Sequence, residues 1–168
     1  MICISPDEGR WFLRNVARGL IEYMGALTPP VPVEEFLEHP PDLFDQDLGV
    51  VNMYSHVWDA TFARTPSQRG SIFVRIDLAP EERRFALARE TLTALITSEQ
   101  GRALGLPALF LSSLREWAEF FARQLLAPDL MLEVYRQRGG DAKGLADTFV
   151  IPPRVAALRW EDPSPQTS

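Results

Sequence analysis

Strand-forming sequence is confined to the part of the chain before Pro80, whereas nearly everything after Pro80 is helix-forming. Residues 48–62 are strand-like with a turn near Ser55, and residues 72–77 predict another strand. After Pro80 the expected helices cover residues 80–97, 99–104, 108–126, 128–138, 141–149 and 152–159. This separation predicts an α+β fold, in which a small β-sheet from residues 48–77 is packed against a mostly helical body.

The segment that precedes the sheet predicts two helices. The first runs from about Pro6 to Met24, with Ser5 as its N-cap and Gly25 at its end, because Ser favours N-caps and Pro the first helical position. A stiff proline-rich connector then leads to a short helix over Val33–Glu38, which Pro40 stops.

The composition suits one globular domain. With 168 residues, of which 46% are apolar, the chain can bury a core, and we expect one domain over residues 1–161 and a disordered tail over residues 162–168. The net charge of −6 and the lack of a basic cluster argue against direct nucleic-acid binding. No apolar run is long enough to span a membrane, and no signal-peptide pattern is present. Cys3 is the only cysteine, which excludes an intrachain disulfide and fits a cytoplasmic protein.

The helix expected over residues 80–97 carries charged side chains at the edge of its apolar face. At 100° per residue, Phe85, Leu92 and Ile96 share a narrow arc, and Arg89 and Thr93 lie on its flank. An arginine in that position must meet an anion or reach water, because a buried unpaired charge is very costly.

Residues 89–93 read R-E-T-L-T, where the zinc-binding motif H-E-x-x-H would have its two imidazoles. In that motif the histidines hold the metal from one helical face, and the glutamate between them activates a metal-bound water. Arg89 has no lone pair to donate, and the Thr93 hydroxyl is a poor zinc ligand. Of the three defined residues of the motif, only the glutamate is therefore retained, as Glu90.

Three segments follow the strand expected near residues 70–76 in a recognisable order. They read E-R-R-F-A-L-A-R-E-T-L-T at residues 82–93, A-E-F-F-A-R-Q-L-L-A-P at 118–128 and L-A-D-T-F-V-I-P-P-R-V-A at 145–156. Over residues 6–160 the chain resembles the ImmA/IrrE family of bacterial and phage metallopeptidases, which show E-R-R-F-x-x-A-H-E-x-x-H, F-A-A-x-L-L-M-P and L-A-x-x-F-x-V-S-x-x-A segments in this order. The resemblance implies a zincin-like fold.

The resemblance also implies a third zinc ligand, an acidic residue early in the second segment. That position falls on Arg115, and Glu116 is one residue out of register, which rotates its side chain by about 100° around the helix. Arg89, Thr93 and Arg115 thus stand at degenerate ligand positions, and Glu90 is a vestigial general base. We therefore expect neither a metal ion nor another cofactor.

Two interpretations of the charged side chains are open. In the first, Arg89 and Arg115 replace the charge of the metal and form ion pairs in a cleft with Glu90 and Glu119. In the second, Arg115 and Glu119 form an ordinary i, i+4 pair on a solvated face and Arg89 is simply exposed. A metal site built from His39 or His56 is also open, although neither has a partner at ligand spacing.

Two classes of function follow. The favoured one is a catalytically inactive ImmA/IrrE-type homologue that binds a protein partner, with a helix-turn-helix repressor as candidate, because active relatives cleave repressors. The alternative is a hydrolase that keeps Glu90 as general base with a non-standard metal site or none. The apolar run Leu104–Leu114 predicts buried packing or, alternatively, a homodimer contact, and Trp117 or Phe120 is a candidate for an interface.

Overall fold

The structure is a computed structural model that describes residues 4–165; Cys3 and the last three residues of the expected tail lie outside the described residues. The α+β class, with a small sheet and a mostly helical body, is confirmed. The strands are β1 (Gly49–Met53), β2 (Ala60–Arg64) and β3 (Gly70–Arg75). The helices are α1 (Pro6–Met24), α2 (Val33–Glu38), α3 (Pro80–Thr97), α4 (Glu99–Ala103), α5 (Leu106–Phe110), α6 (Leu114–Leu126), α7 (Asp129–Gln137), α8 (Ala142–Phe149) and α9 (Pro153–Glu161).

Helix α1 has the bounds and the cap that the sequence predicts. The Ser5 hydroxyl accepts a hydrogen bond from the Glu8 backbone N–H at 3.2 Å, and the Glu8 carboxylate accepts from the Ser5 N–H at 2.9 Å. This reciprocal capping box satisfies two donors that the first turn would leave free. The helix ends at Gly25, whose φ of 63° lies in the left-handed region that glycine enters without a steric penalty.

The sheet has β3 at its centre, in the order β1-β3-β2. Strand β1 runs parallel to β3 and β2 runs antiparallel to it, so the strand-like residues 48–62 are two strands on opposite edges. Every second residue of β3 is buried, namely Gly70, Ile72 and Val74, and the strand packs against α3, as a sheet with one covered face requires.

Helix α3 lies between the sheet and α6 and forms the centre of the core. Its bounds match the predicted 80–97 helix, and Phe85, Leu92 and Ile96 are all buried as the apolar arc predicts. Thr91 is also buried, and its hydroxyl donates to the Leu87 carbonyl at 2.8 Å, so the buried polar group is satisfied.

The prediction of one continuous helix over residues 108–126 is wrong, because a 3₁₀ turn divides the segment into two helices. Helix α5 ends at Phe110, a 3₁₀ turn covers Leu111–Ser113, and α6 starts at Leu114. Ser113 has φ −133° and ψ 38°, outside the helical region, and serine competes with helical hydrogen bonding through its own side chain. The break lets α6 take a direction of its own against α1 and α3.

The apolar run around this break is partly buried. Phe110 is fully buried, and Trp117 packs against its ring edge-on with centroids 5.6 Å apart. Phe120 is buried as well, which excludes it as an interface residue of the folded chain. Leu104 and Leu111 are exposed.

Buried arginines hold the last helix in place. Arg159 is 1% exposed and donates to the Ala127 carbonyl at 2.8 Å and to Asp129 at 2.7 Å. Arg123 donates to both carboxylate oxygens of Asp162 at 2.9 and 3.0 Å. Asp162, the first residue of the expected tail, is therefore fixed to α6.

No helix within residues 4–165 combines the length and the apolar character needed to cross a lipid bilayer.

Candidate functional site

A cleft of about 590 Å³ opens beside α3. Its walls come from the loop before β2, from α3, from α6 and from α9. One part of the wall is apolar and includes Val57, Trp58 and Leu158, which are exposed. The other part carries guanidinium groups. A cleft that combines exposed apolar side chains with charged groups can bind a polypeptide or another ligand of mixed polarity.

The loop before β2 is ordered by Ser55. Its hydroxyl accepts hydrogen bonds from the backbone N–H groups of Val57 and Trp58 at 3.1 and 3.0 Å. This turn orients Trp58 into the cleft wall and brings Asp59 to the start of β2. The turn predicted near Ser55 and His56 is confirmed.

Arg89 is the charged group at the base of the cleft, and it contacts two carboxylates. Its Nη2 donates to Asp59 Oδ1 at 2.7 Å, and its Nε lies 3.4 Å from Glu90 Oε1. The guanidinium also lies 5.9 Å from the centre of the Phe85 ring. The Arg89 side chain is only 16% exposed, so it is not the solvated arginine of the second interpretation.

These contacts shift the pKa values of both carboxyl groups. Burial raises the pKa of Glu90, and the charge of Arg89 offsets only part of that effect. For Asp59, burial acts in the same direction, but the hydrogen bond and charge of Arg89, with the Ala60 N–H, outweigh it and lower the pKa. Burial disfavours the charged Arg89, yet its two carboxylate partners raise its pKa. The guanidinium therefore stays charged and holds Asp59 ionised.

Glu90 contacts Arg89 but is not part of the cleft wall. Its side chain is 14% exposed and is not part of the cleft lining, and neither is Thr93. A general base must come within hydrogen-bond reach of the proton that it removes. Glu90 does not line the cleft, so this geometry is unfavourable for a base that acts on a ligand held there.

The donor set does not fit a zinc ion. Arg89 cannot coordinate a metal, and Thr93 offers only a neutral hydroxyl. Within residues 4–165, no group of three or more His, Cys, Asp or Glu side chains is placed to hold a metal ion. His39 ends α2 and His56 lies in the exposed loop before β2, and both are exposed.

Arg115 and Glu119 form a separate pair on α6. Arg115 Nε lies 3.4 Å from Glu119 Oε1, and the Arg115 side chain is 90% exposed. This is the i, i+4 pair of the second interpretation, although both residues line the cleft. The structure therefore pairs Arg89, at the base of the cleft, with Glu90, which does not line the cleft, and it pairs Arg115 with Glu119 at the exposed rim.

Sequence reasoning missed the main partner of Arg89. Asp59 is 30 positions away in the chain and lies in a loop with no charge pattern to single it out. Sequence reasoning also missed Arg154, which belongs to α9. It donates to both carboxylate oxygens of Glu82 at 2.5 and 3.0 Å, and its guanidinium lies over the Phe85 ring. Only the packing of β2 and α9 against α3 brings these groups to one cleft.

No family model matches this chain, and no curated protein matches it. Among solved structures, the fold is similar to a chain described as a "Mycobacterium tuberculosis transcriptional regulator", with a TM-score of 0.63 and 19% sequence identity. The match covers 89% of this chain and 50% of that chain, so this chain spans about half the length of the regulator. At this identity the likeness establishes a shared fold and nothing about activity.

Proposed function

We propose that this chain is a catalytically inactive, zincin-like homologue of the ImmA/IrrE peptidases that binds a protein segment in the cleft beside Arg89. The observation that carries the proposal is the position of the Arg89 guanidinium between Asp59 and Glu90. In an active relative this helix turn holds a metal and its water; here a fixed cation contacts the glutamate instead. Without a metal to lower the pKa of a bound water, Glu90 has no such water to deprotonate.

The exposed apolar side chains of the cleft support a binding role. Trp58 is 60% exposed, and Val57 and Leu158 lie beside it in the same wall. Tryptophan and arginine are the residues most often found as energetic centres of protein interfaces. The proposed partner is a repressor of the helix-turn-helix type. The structural similarity to a transcriptional regulator supports a regulatory setting for such a partner.

A hydrolase that uses Glu90 is the second candidate, and one observation favours it. Burial raises the pKa of Glu90 toward the range of a general base. The Glu90 carboxylate is outside the cleft wall and in contact with Arg89, so a base role would require this part of α3 to rearrange. The two candidates predict different outcomes when the protein is incubated with a repressor encoded beside its gene.

The binding experiment uses two exposed tryptophans as a matched pair. We expect the intact repressor to bind, with no cleavage in a mass spectrum, and Trp58→Ala to weaken binding about tenfold or more. Trp11→Ala is the control, since Trp11 is 67% exposed on α1, outside the cleft. Cleavage that Glu90→Gln abolishes would establish the hydrolase instead. Equal losses for both tryptophan variants would remove the cleft from the proposal.

The zincin-like part of the proposal has its own test, the restoration of the ligand pair. Positions 89 and 93 lie four residues apart on α3, and Asp59 is within reach of position 89. We therefore expect Arg89→His/Thr93→His to bind one zinc ion per chain, with Asp59 as the third ligand in place of position 115, which carries a 90% exposed arginine. Each single variant supplies one histidine fewer and should bind far more weakly. A folded double variant without zinc by metal analysis would contradict the zincin-like assignment.

A further inference from the structure

The loop before β2 carries Trp58 but buries little of its own surface. It comprises residues 54–59, and Tyr54, Val57 and Trp58 are all exposed. The two hydrogen bonds that Ser55 accepts, from the N–H groups of Val57 and Trp58, lie within the loop and shape its turn. Neither bond connects the loop to the rest of the fold. A loop with few buried apolar contacts needs other contacts to hold it in one conformation.

Asp59 connects this loop to the rest of the fold. Its carbonyl accepts a hydrogen bond from the Arg75 N–H of β3 at 2.7 Å, which continues the sheet ladder by one residue and fixes the Asp59 backbone to the sheet. Its carboxylate Oδ1 accepts from the Ala60 N–H at 2.7 Å and from Arg89 Nη2 at 2.7 Å. Within residues 4–165, the bond from Arg89 is the only hydrogen bond between the loop and a helix.

The Arg89 guanidinium is suited to fix the loop because other contacts fix its own position. It is carried by α3, its Nε lies 3.4 Å from Glu90 Oε1, and the centre of the Phe85 ring lies 5.9 Å away. The contact with Asp59 is the shorter of its two carboxylate contacts. Charge-assisted hydrogen bonds are stronger than neutral ones, and a partly buried pair is screened less by salt than an exposed pair.

We infer that Arg89 is a positioning residue for Trp58: through its ion pair with Asp59 it ties the loop before β2 to α3 and keeps the indole in the cleft wall. The inference rests on the proposed function only in taking Trp58 as a contact of the protein partner. Arg89 acts here through Asp59 and needs no contact with the partner. A loop that is ordered before binding loses less conformational entropy when it binds, so the ion pair should increase affinity.

The test measures backbone amide order parameters by nuclear magnetic resonance on the protein without its partner. In the wild-type chain, the amides of Val57 and Trp58 should have order parameters close to about 0.85, the value of rigid backbone, and Arg89→Met/Glu90→Gln should lower them below about 0.6. The second substitution avoids a buried Glu90 carboxylate without its cation, which would destabilise the fold. Glu90→Gln alone is the matched control, because it keeps the contact between Arg89 and Asp59 and should leave the order parameters unchanged.

Two further variants separate positioning from a general structural role. Asp59→Ala breaks the same ion pair from the side of the loop and should also lower the order parameter of Trp58, so it replaces the double variant if that variant unfolds. Arg89→Lys keeps a positive charge within reach of Asp59 and should restore most of the order. The amide of Phe73, at the centre of β3, should keep an order parameter of about 0.85 in every variant, because the pairing of β3 does not involve the ion pair.

Affinity for the repressor is the second readout. Arg89→Met/Glu90→Gln should weaken binding about fivefold or more relative to Glu90→Gln, and Arg89→Lys should keep most of the affinity. The inference is overturned if the wild-type loop is already disordered, if the double variant keeps its order at Trp58, or if Glu90→Gln alone loses as much order. A loss of affinity without a loss of order also overturns it, because Arg89 would then contact the partner directly. If the wild-type chain binds no repressor although the variants lose order, the proposed function fails and the positioning role of Arg89 stands.

Discussion

Replacing Arg89 by methionine measures how much the ion pairs at the base of the cleft contribute to stability. The side chains of Arg89 and Glu90 are 16% and 14% exposed, so the variant leaves a mostly buried carboxylate without its cation. Breaking a fully buried ion pair costs about 3–5 kcal/mol, whereas exposed pairs contribute about 0–1 kcal/mol. Between these limits we expect Arg89→Met to lower the free energy of unfolding by about 2 kcal/mol. Methionine keeps part of the contact with Phe85, so lost packing contributes little.

Urea denaturation followed by circular dichroism provides the assay. With an m-value of about 2 kcal/mol/M, the loss of 2 kcal/mol corresponds to a midpoint lower by about 1 M. Arg115→Met is the matched control, because Arg115 is also paired with a glutamate but is 90% exposed. Its expected loss is below about 0.5 kcal/mol. If the two variants lose equal stability, the Arg89 pairs are not stabilising and the reasoning fails.

The pH dependence of the free energy of unfolding tests whether the charge of Glu90 causes the loss of stability in Arg89→Met. Burial raises the pKa of Glu90, and Arg89→Met removes the charge that offsets this effect. A carboxyl group with a higher pKa in the folded state binds more protons there, so the folded state loses stability as pH rises through the interval between the unfolded and folded pKa values. At pH 7, Arg89→Met/Glu90→Gln should therefore be more stable than Arg89→Met. The difference should disappear as the pH falls below about 4, where the carboxyl is protonated in both states. A difference that does not change with pH would show that the charge of Glu90 is not the cause.

Three further variants test other parts of the fold by the same unfolding assay. Ser5→Ala removes the side-chain half of the α1 capping box and should lower the free energy of unfolding by about 1 kcal/mol; an unchanged midpoint would mean that the first turn is already frayed. Arg159→Met leaves Asp129 and the Ala127 carbonyl without their donor in a buried setting and should cost about 3 kcal/mol, whereas a loss below 1 kcal/mol would contradict the role given to Arg159 in holding α9. Gly101→Ala should be destabilising although alanine favours helices, because its Cβ would lie 2.3 and 2.4 Å from two backbone oxygens of α3; a stabilised variant would show that α4 can shift.

The elements that the sequence predicted well are those with local signals. The serine cap, the proline at the first helical position and the terminal glycine defined α1, and prolines bounded the short helix Val33–Glu38. The apolar arc of Phe85, Leu92 and Ile96 correctly predicted the buried face of α3. The break at Ser113 was missed because apolar periodicity continues across it, while the backbone there responds to packing against α1 and α3.

For the strands too, the sequence predicted the local backbone conformation but not which strands pair. Residues 48–62 were expected to be strand-like with a turn near Ser55, and the structure has β1 and β2 there with a bend between them. Their order in the sheet was not readable, because β3 inserts between two strands that are adjacent in the chain.

The chemistry available at the helix turn of residues 89–93 was determined by the sequence alone. A guanidinium and a hydroxyl stand where a zinc site needs imidazoles, and no arrangement in space gives Arg89 a lone pair. Tertiary structure decided what the charge of Arg89 does instead. Pairing of β2 with β3 carries Asp59 to within 2.7 Å of the guanidinium, and the packing of α3 keeps Glu90 out of the cleft wall. Coulomb attraction acts through space and not along the chain, so the partner of a charge appears only when distant segments meet.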